Sequence, residues 1–185
     1  MNLVWPITGL YFGPIALWAY LTFGRGASPG QEGRSKQGPF WQKVFVGSSH
    51  CGAGCTLGDF AGEWIIFFTG LTVAGSILWA DYCADFLLAY ILGIVFQYFA
   101  IAPMRNLSGW QGIKAAIKAD TISLVAFEVG MFGWMAFSSE FLFYPRPEPT
   151  RIVYWFSMQI AMVVGFATAF PANWWLIRAG FKEAM

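Results

Sequence analysis

Charged residues are scarce in this chain: only 11% of its 185 residues are Asp, Glu, Lys or Arg, whereas soluble domains contain roughly 25%. Hydrophobic residues make up 57%. This imbalance argues against an ordinary soluble domain and predicts that a lipid bilayer surrounds most of the chain. The net charge of +1 provides no basic field of the kind that binds DNA or RNA, so we expect no nucleic-acid partner.

The sequence also lacks the motifs of several enzyme and cofactor classes. It has one histidine, so a single chain cannot supply two axial histidines to a b-type haem, and it has no Cys-x-x-Cys-His attachment site. It contains neither a Gly-rich phosphate loop ending in Lys-Ser/Thr nor the Gly-x-Ser-x-Gly elbow of serine hydrolases. We therefore expect neither haem nor nucleotide as a cofactor.

Long hydrophobic runs dominate what is present. Five of them approach or exceed the roughly 20 residues with which an α-helix crosses about 30 Å of hydrocarbon. We predict an all-α membrane protein in which residues 1–185 form a single helical domain, with about five transmembrane helices in one bundle. The predicted spans are Leu3–Phe23, Phe60–Ala80, Tyr82–Ala102, Thr121–Phe143 and Ile152–Ile177.

The segment between the first two runs differs in composition. Residues 24–39 are rich in Gly, Ser and Pro, which predicts a flexible linker. Residues 40–58 combine aromatic residues with a Cys/His motif, and we expect this segment to lie along the membrane surface. Thr56 and Asp59 have the spacing of a capping box, so the second helix is predicted to begin near Asp59 and to turn at Asp81 into the third.

Basic residues are unevenly distributed between the loops. Most of them fall in the first loop, the third loop and the C-terminal tail, whereas Arg146 and Arg151 fall on the other side. The positive-inside rule then predicts an N-terminus outside, with the first loop and the C-terminus in the cytoplasm. Cytoplasmic thiols normally stay reduced, which favours metal binding over a structural disulfide in the first loop.

Residues 49–55 read Ser-His-Cys-Gly-Ala-Gly-Cys and place the only histidine beside two of the three cysteines. Imidazole and thiolate bind soft or borderline metals, although a cysteine pair can instead cycle between dithiol and disulfide. A third interpretation is that the cysteines simply pack as small hydrophobes. The candidate metal-binding residues are His50, Cys51, Cys55, Asp59 and Glu63.

The spacing of this motif leaves its backbone conformation open. Cys51, Cys55 and Asp59 recur every four residues, which would place them on one face of a helix. Gly52 and Gly54 argue against an uninterrupted helix, and would let a loop fold tightly around an ion. Both conformations bring the same groups together.

A second group of candidate residues lies along the predicted fourth and fifth helices. An ionised acid at mid-membrane depth costs about 2.5–3.5 kcal/mol, so Glu128 should face inward, with a partner or a proton. Thioether sulfur is a ligand for Cu(I), but methionines also commonly fill gaps in cores, and Glu128 could simply fasten helices together. This candidate inner path comprises Asp120, Glu128, Met131, Met135, Met158 and Met162.

Several segments together resemble a family of small bacterial integral membrane proteins catalogued as a domain of unknown function. The segments are 49–59, 93–99, 118–120, 127–131 and 155–159, and the cysteine segment is the most specific of them. The resemblance extends over nearly the whole chain. It implies a helical protein of a bacterial inner membrane, and it supplies no activity or catalytic residue.

These observations predict a membrane protein that binds, and conducts, a soft transition metal, with Cu(I) as the first candidate and zinc as the second. One alternative is a thiol redox enzyme that uses Cys51 and Cys55, and another is a structural or assembly subunit of a larger complex. Because five short helices offer little room for a path, we also expect a homo-oligomer or a membrane complex.

Overall fold

The fold is all-helical over the part of the chain that the structure describes. The computed structural model covers residues 3–24, 38–105 and 107–182, and the side chains of all of these except 102–105. The helices in chain order are α1 Val4–Phe12, α2 Pro14–Ala19, α3 Phe40–Thr69, α4 Ile77–Arg105, α5 Gly109–Phe137 and α6 Ile152–Arg178. Two π-helical turns, Tyr20–Gly24 and Ser138–Leu142, follow α2 and α5.

Three helical segments of the described chain are long and apolar enough to cross a membrane: Ile77–Ile101, Gly109–Leu142 and Ile152–Arg178. This agrees with the prediction of a helical membrane protein. The predicted number of about five spans is not confirmed.

The long helix α3 lies at the centre of the molecule, because it contacts α1, α4, α5 and α6. Residues 46–56 of α3 are all buried. Successive long helices run in opposite directions, so the bundle has two distinct ends. We call the end where α3 begins and α6 ends the basic end; it carries Lys43, Lys114, Lys118, Arg178 and Lys182. The other, which we call the proline-loop end, carries residues 70–76 and 143–151.

The segment Leu3–Phe23 is not one span, contrary to the sequence prediction. Gly13 breaks it with a φ of +54°, a left-handed value that glycine adopts without strain, and Pro14 then begins α2, where its missing N–H is tolerated. The two arms fold against each other, because the Trp5 ring lies 6.3 Å from that of Phe23. Both ends of the segment therefore lie at the basic end.

The predicted second span, Phe60–Ala80, is wrong because two helices share it. Helix α3 already begins at Phe40, ends at Thr69 and is followed by a turn, and α4 begins at Ile77. The residues 40–58, predicted to lie on the membrane surface, are the first part of α3 and enter the core. Thr56 does not cap a helix; its hydroxyl donates a 2.6 Å hydrogen bond to the Gly52 carbonyl within α3.

The remaining boundaries follow the sequence more closely. Asp81, predicted to lie in a turn, is inside α4, which continues two residues past Pro103. Helix α5 begins at Gly109, so the amphipathic stretch with Lys114 and Lys118 and the predicted span from Thr121 form one helix, as the sequence indicates. Helix α6 differs from the predicted Ile152–Ile177 by one residue.

Helices α3 and α4 approach closely along glycines spaced four residues apart. A Cβ atom on Gly54 would lie 2.6 Å from the Cα of Gly93, and one on Gly58 would lie closer still to the backbone of Ala89. Small residues at such a contact allow two helix backbones to touch. Gly54, one of the two glycines that argued against a helix, is therefore among the residues that let α3 pack against α4.

We predict that Gly58→Ala destabilises the bundle, because the new methyl group meets the backbone of Ala89 and neither helix can move without disturbing the core. The expected cost is about 1–3 kcal/mol in the free energy of unfolding, measured by thermal or denaturant unfolding in detergent.

The matched control is Gly133→Ala in α5, where a Cβ would meet no atom within 4 Å. This variant should be as stable as the wild type. Equal effects of the two substitutions would contradict the close α3–α4 contact.

Candidate functional site

The two cysteines of the motif lie in the centre of the bundle. Cys51 and Cys55 are both free and 0% exposed. They belong to one core cluster with four methionines from α5 and α6, which are Met131, Met135, Met158 and Met162. We call these six residues the sulfur cluster. The cysteines and the methionines that the sequence singled out thus belong to the same core.

Polar groups border the sulfur cluster on two sides. The Thr56 hydroxyl lies 3.8 Å from the sulfur of Met162, and the Ser157 hydroxyl lies 3.9 Å from that of Met135. The thiol of Cys55 has the Glu128 carboxyl group as a polar neighbour. Soft ligands and one ionisable group therefore occupy the same part of the core.

A group of buried acids continues from the sulfur cluster towards the proline-loop end. Asp59 is fully buried and interacts electrostatically with Glu128, Asp85 and Glu63. Among the described residues, neither side-chain oxygen of Asp59 or of Glu128 has a hydrogen-bond partner, and one oxygen of Asp85 has none. An unpaired buried charge costs several kcal/mol, so these groups must hold protons or a cation.

Arg146 lies at the proline-loop end of this group of acids and forms ion pairs with two of them. Its Nη1 donates to a carboxylate oxygen of Asp81, and its Nη2 lies 3.2 Å from Glu63 Oε1 and 3.2 Å from the Tyr154 hydroxyl. The Arg146 guanidinium also lies over the Tyr154 ring, at 5.6 Å. Groups from α3, α4 and α6 thus converge on one side chain of the loop.

The Arg146 side chain remains positively charged. Burial alone would lower the pKa of its guanidinium, but Tyr154, Glu63 and Asp81 outweigh it and raise that pKa above its ordinary value. One guanidinium cannot neutralise all the buried acids of this half of the molecule. Five of them are described there: Asp59, Glu63, Asp81, Asp85 and Glu128.

A pocket of about 430 Å³ lies beside Arg146 between α3, α4 and the proline-containing loop. Glu63, Asp81 and Arg146 line it together with Glu148 of the loop. We call this pocket the vestibule. It connects the proline-loop end of the molecule with the outermost members of the acid group.

Asp120 lies apart from the other residues of the predicted inner path. Its Oδ1 lies 2.9 Å from Lys182 Nζ, and both side chains are almost fully buried at the basic end. Lys182 also donates a 3.3 Å hydrogen bond to the Gly47 carbonyl, and His50 is a neighbour of Lys182. Leu124, fully buried one turn beyond Asp120, lies between it and Glu128 along α5. His50 and Asp120 thus belong to a second polar group.

Sequence reasoning missed the two basic residues that organise the site. Arg146 was visible only as a charge in a proline-rich loop, and Lys182 only as a charge near the C-terminus. Asp85, by contrast, was a weaker candidate from the sequence, which places it one turn inside the third predicted span.

In the described part of the chain, no three or more His, Cys, Asp and Glu residues are grouped so that they could hold a metal ion. Zinc, which prefers four such ligands in a tetrahedron, has no such set there. Thiols and thioethers are the protein ligands that soft metals such as Cu(I) prefer.

We predict that Arg146→Gln destabilises the folded protein, because it leaves Glu63 and Asp81 buried without a cation. Since the Arg146 side chain is 23% exposed, the expected loss is roughly 2–3 kcal/mol, below that of a fully buried pair. Thermal unfolding in detergent measures it. Arg151→Gln, an exposed arginine of the same loop, should have little effect; equal losses would contradict the role of the ion pair.

The Lys182–Asp120 pair provides a second test. Asp120→Asn should cost about 3–5 kcal/mol in unfolding free energy, because it strands a buried ammonium group. Adding Lys182→Met removes that ammonium and should recover part of the loss. A double variant no more stable than Asp120→Asn alone would show that the ion pair is not the source of the effect.

A family profile described as a domain of unknown function (DUF4396) matches residues 40–182. The match includes the four long helices and Lys182, and it begins after the α1–α2 hairpin. No curated protein and no solved structure matches the chain. Because the profile covers well over half of the sequence, the chain belongs to the DUF4396 family of unknown function.

Proposed function

We propose that this protein binds a soft transition metal in its core and carries it across the inner membrane of a bacterium, with Cu(I) as the preferred ion. The observation that supports the proposal best is the sulfur cluster, in which two buried thiols share one core with four thioethers. Soft sulfur ligands favour Cu(I) over the harder ions that bind carboxylates and water.

Glu128 gives this cluster a means to accept a metal. Thiols must lose their protons before they bind a metal ion, and the Glu128 carboxyl group is a neighbour of the Cys55 thiol. Where Glu128 already holds a proton, it has to pass that proton on towards Asp59, with which it interacts, before its carboxylate can take the thiol proton when the ion arrives. The acid group beyond it, from Asp59 to Asp81, lowers the electrostatic energy of a cation that leaves towards the vestibule.

We propose that the basic end faces the cytoplasm, because the described lysines and arginines concentrate there. Helices α3 to α6 would each cross the bilayer, and the α1–α2 hairpin would enter it from the basic end and return. The start of α1 then lies on the cytoplasmic side, which replaces the expectation of an N-terminus outside. Oligomerisation, or a place in a larger membrane complex, remains a prediction.

The thiol redox alternative requires a disulfide between Cys51 and Cys55. In a regular helix, the Cβ atoms of residues four apart lie about 5–6 Å from each other, whereas a disulfide needs about 3.8 Å. Helix α3 would therefore have to distort at its most closely packed part. Mass spectrometry of oxidised and reduced protein would reveal that bond if this alternative were right.

We predict that the purified protein binds stoichiometric Cu(I), and that Cys51→Ser and Cys55→Ser each weaken the affinity at least tenfold, which corresponds to about 1.4 kcal/mol. Competition with a chromophoric Cu(I) chelator, under reducing conditions, measures the affinity. Zinc tested in parallel should bind more weakly, because it lacks its four ligands.

Cys83→Ser is the matched control, because Cys83 is a free cysteine on the exposed side of α4. Its affinity should equal that of the wild type. Metal binding that both core substitutions leave unchanged, or that Cys83→Ser abolishes, would overturn the proposed site. Isolation of the chain only within a stable complex, with no bound metal, would favour the structural-subunit alternative.

A further inference from the structure

Arg146 occupies a site that is suited to hold a cation. The carboxyl groups of Asp81 and Glu63 and the hydroxyl of Tyr154 each contact its guanidinium, and these residues come from three different helices. The Tyr154 ring adds a cation–π contact to the same group. Such convergence selects for positive charge rather than for one particular side chain.

The site contains more acid than Arg146 needs. Asp85 is 1% exposed, interacts with Glu63 and Asp81, and has a side-chain oxygen without a hydrogen-bond partner among the described residues. Asp59 lies one turn before Glu63 on α3, deeper in the core, and its carboxyl group interacts with those of Glu63 and Asp85. Glu63 and Asp81 therefore share one guanidinium, while the neighbouring Asp85 keeps a buried oxygen atom that remains to be neutralised.

Arg146 lies in the loop between α5 and α6, not in a helix. Its neighbours Pro147, Glu148 and Pro149 line the vestibule. A loop residue can leave a site without displacing any of the packed helices. The vestibule of about 430 Å³ is large enough for a small hydrated ion to approach while Arg146 withdraws.

We infer that Glu63, Asp81 and Asp85 form a second cation-binding site at the proline-loop end, which Arg146 occupies as a tethered cation and which a soluble cation takes when Arg146 leaves. The site is separate from the sulfur cluster. Only the identity of the natural cation rests on the proposed function.

A cation that is attached to the chain at this position controls whether other cations reach the acids. Glu63 and Asp81 line the vestibule but are paired with Arg146, whose charge repels other cations, whereas the deeper acids Asp59 and Asp85 do not line it. When Arg146 leaves, the carboxylates of Glu63 and Asp81 become free to bind ions in the vestibule, and their negative potential attracts them. Arg146 therefore acts as a gate between the vestibule and the core.

Chemical rescue tests the site itself. Arg146→Ala should lower the melting temperature, and millimolar methylguanidinium should restore at least half of that loss by occupying the vacated site. Methylurea has nearly the same shape without the charge, and it should restore nothing. The wild type and Arg151→Ala, an exposed arginine of the same loop, should not respond to either compound.

Equal responses to the charged and the neutral compound, or none to either, would overturn the cation site. If Arg146→Ala does not fold in detergent, Arg146→Gln gives the same comparison, because it keeps a polar side chain of intermediate length. Adding Asp81→Asn to either variant should remove the response to methylguanidinium, and a response that survives this change would place the ion elsewhere.

Thiol labelling tests the gate. In a Cys83→Ser background, whose remaining cysteines are the buried Cys51 and Cys55, a small cationic thiol reagent should label Arg146→Gln at least tenfold faster than the parent protein. Arg151→Gln should label at the parent rate, and circular dichroism checks that each variant is folded. Unchanged labelling of folded Arg146→Gln would overturn the gate.

The outcome of these experiments is distinguishable from that of the Cu(I) measurement. Rescue and faster labelling without Cu(I) binding would keep the second site and the gate, and would reject the metal assignment. Cu(I) binding without rescue would keep the sulfur cluster as a metal site and reject the inference about Arg146.

Discussion

The close contact between α3 and α4 is the constraint on which the rest of the structure depends. A helix that carries His, Cys, Asp and Glu is a poor lipid-facing span, yet α3 runs through the middle of the bundle. Gly54 and Gly58 make this arrangement possible, because without side chains they let the two backbones touch. Packing against α5 and α6 on other sides then shields the polar face of α3 from lipid.

Buried carboxylates need positive charge nearby. The two basic residues that pair with them, Arg146 and Lys182, both come from segments outside the helices. One neutralises acids at the proline-loop end and the other pairs with Asp120 at the basic end. Between them, Asp59 and Glu128 lie in the core without hydrogen-bond partners in the described structure. Each of these two acids must therefore hold a proton or be neutralised by a cation.

Features that depend on neighbouring residues were predicted well from the sequence, whereas features that depend on distant packing partners were not. Helix α6 was predicted within one residue, because an uninterrupted apolar run bounded by polar residues decides its length. The burial of Glu128 also followed from its mid-membrane position alone. The start of α3 was missed by 19 residues, from Phe40 to the predicted Asp59, because its glycines read as a loop when their packing partners are unknown. The hairpin at Gly13 was missed for a similar reason.

The sequence by itself determined that this is a helical membrane protein, and it singled out cysteine, methionine and acidic residues that lie in the core. Composition and periodicity suffice for that, since both act within a few turns of helix. Only the tertiary structure decided which of these residues meet. Arg146 reaches an acid 65 positions earlier in the chain, and Lys182 one 62 positions earlier. Such pairs depend on how helices pack, and packing is decided by side-chain volume and backbone approach across the whole bundle.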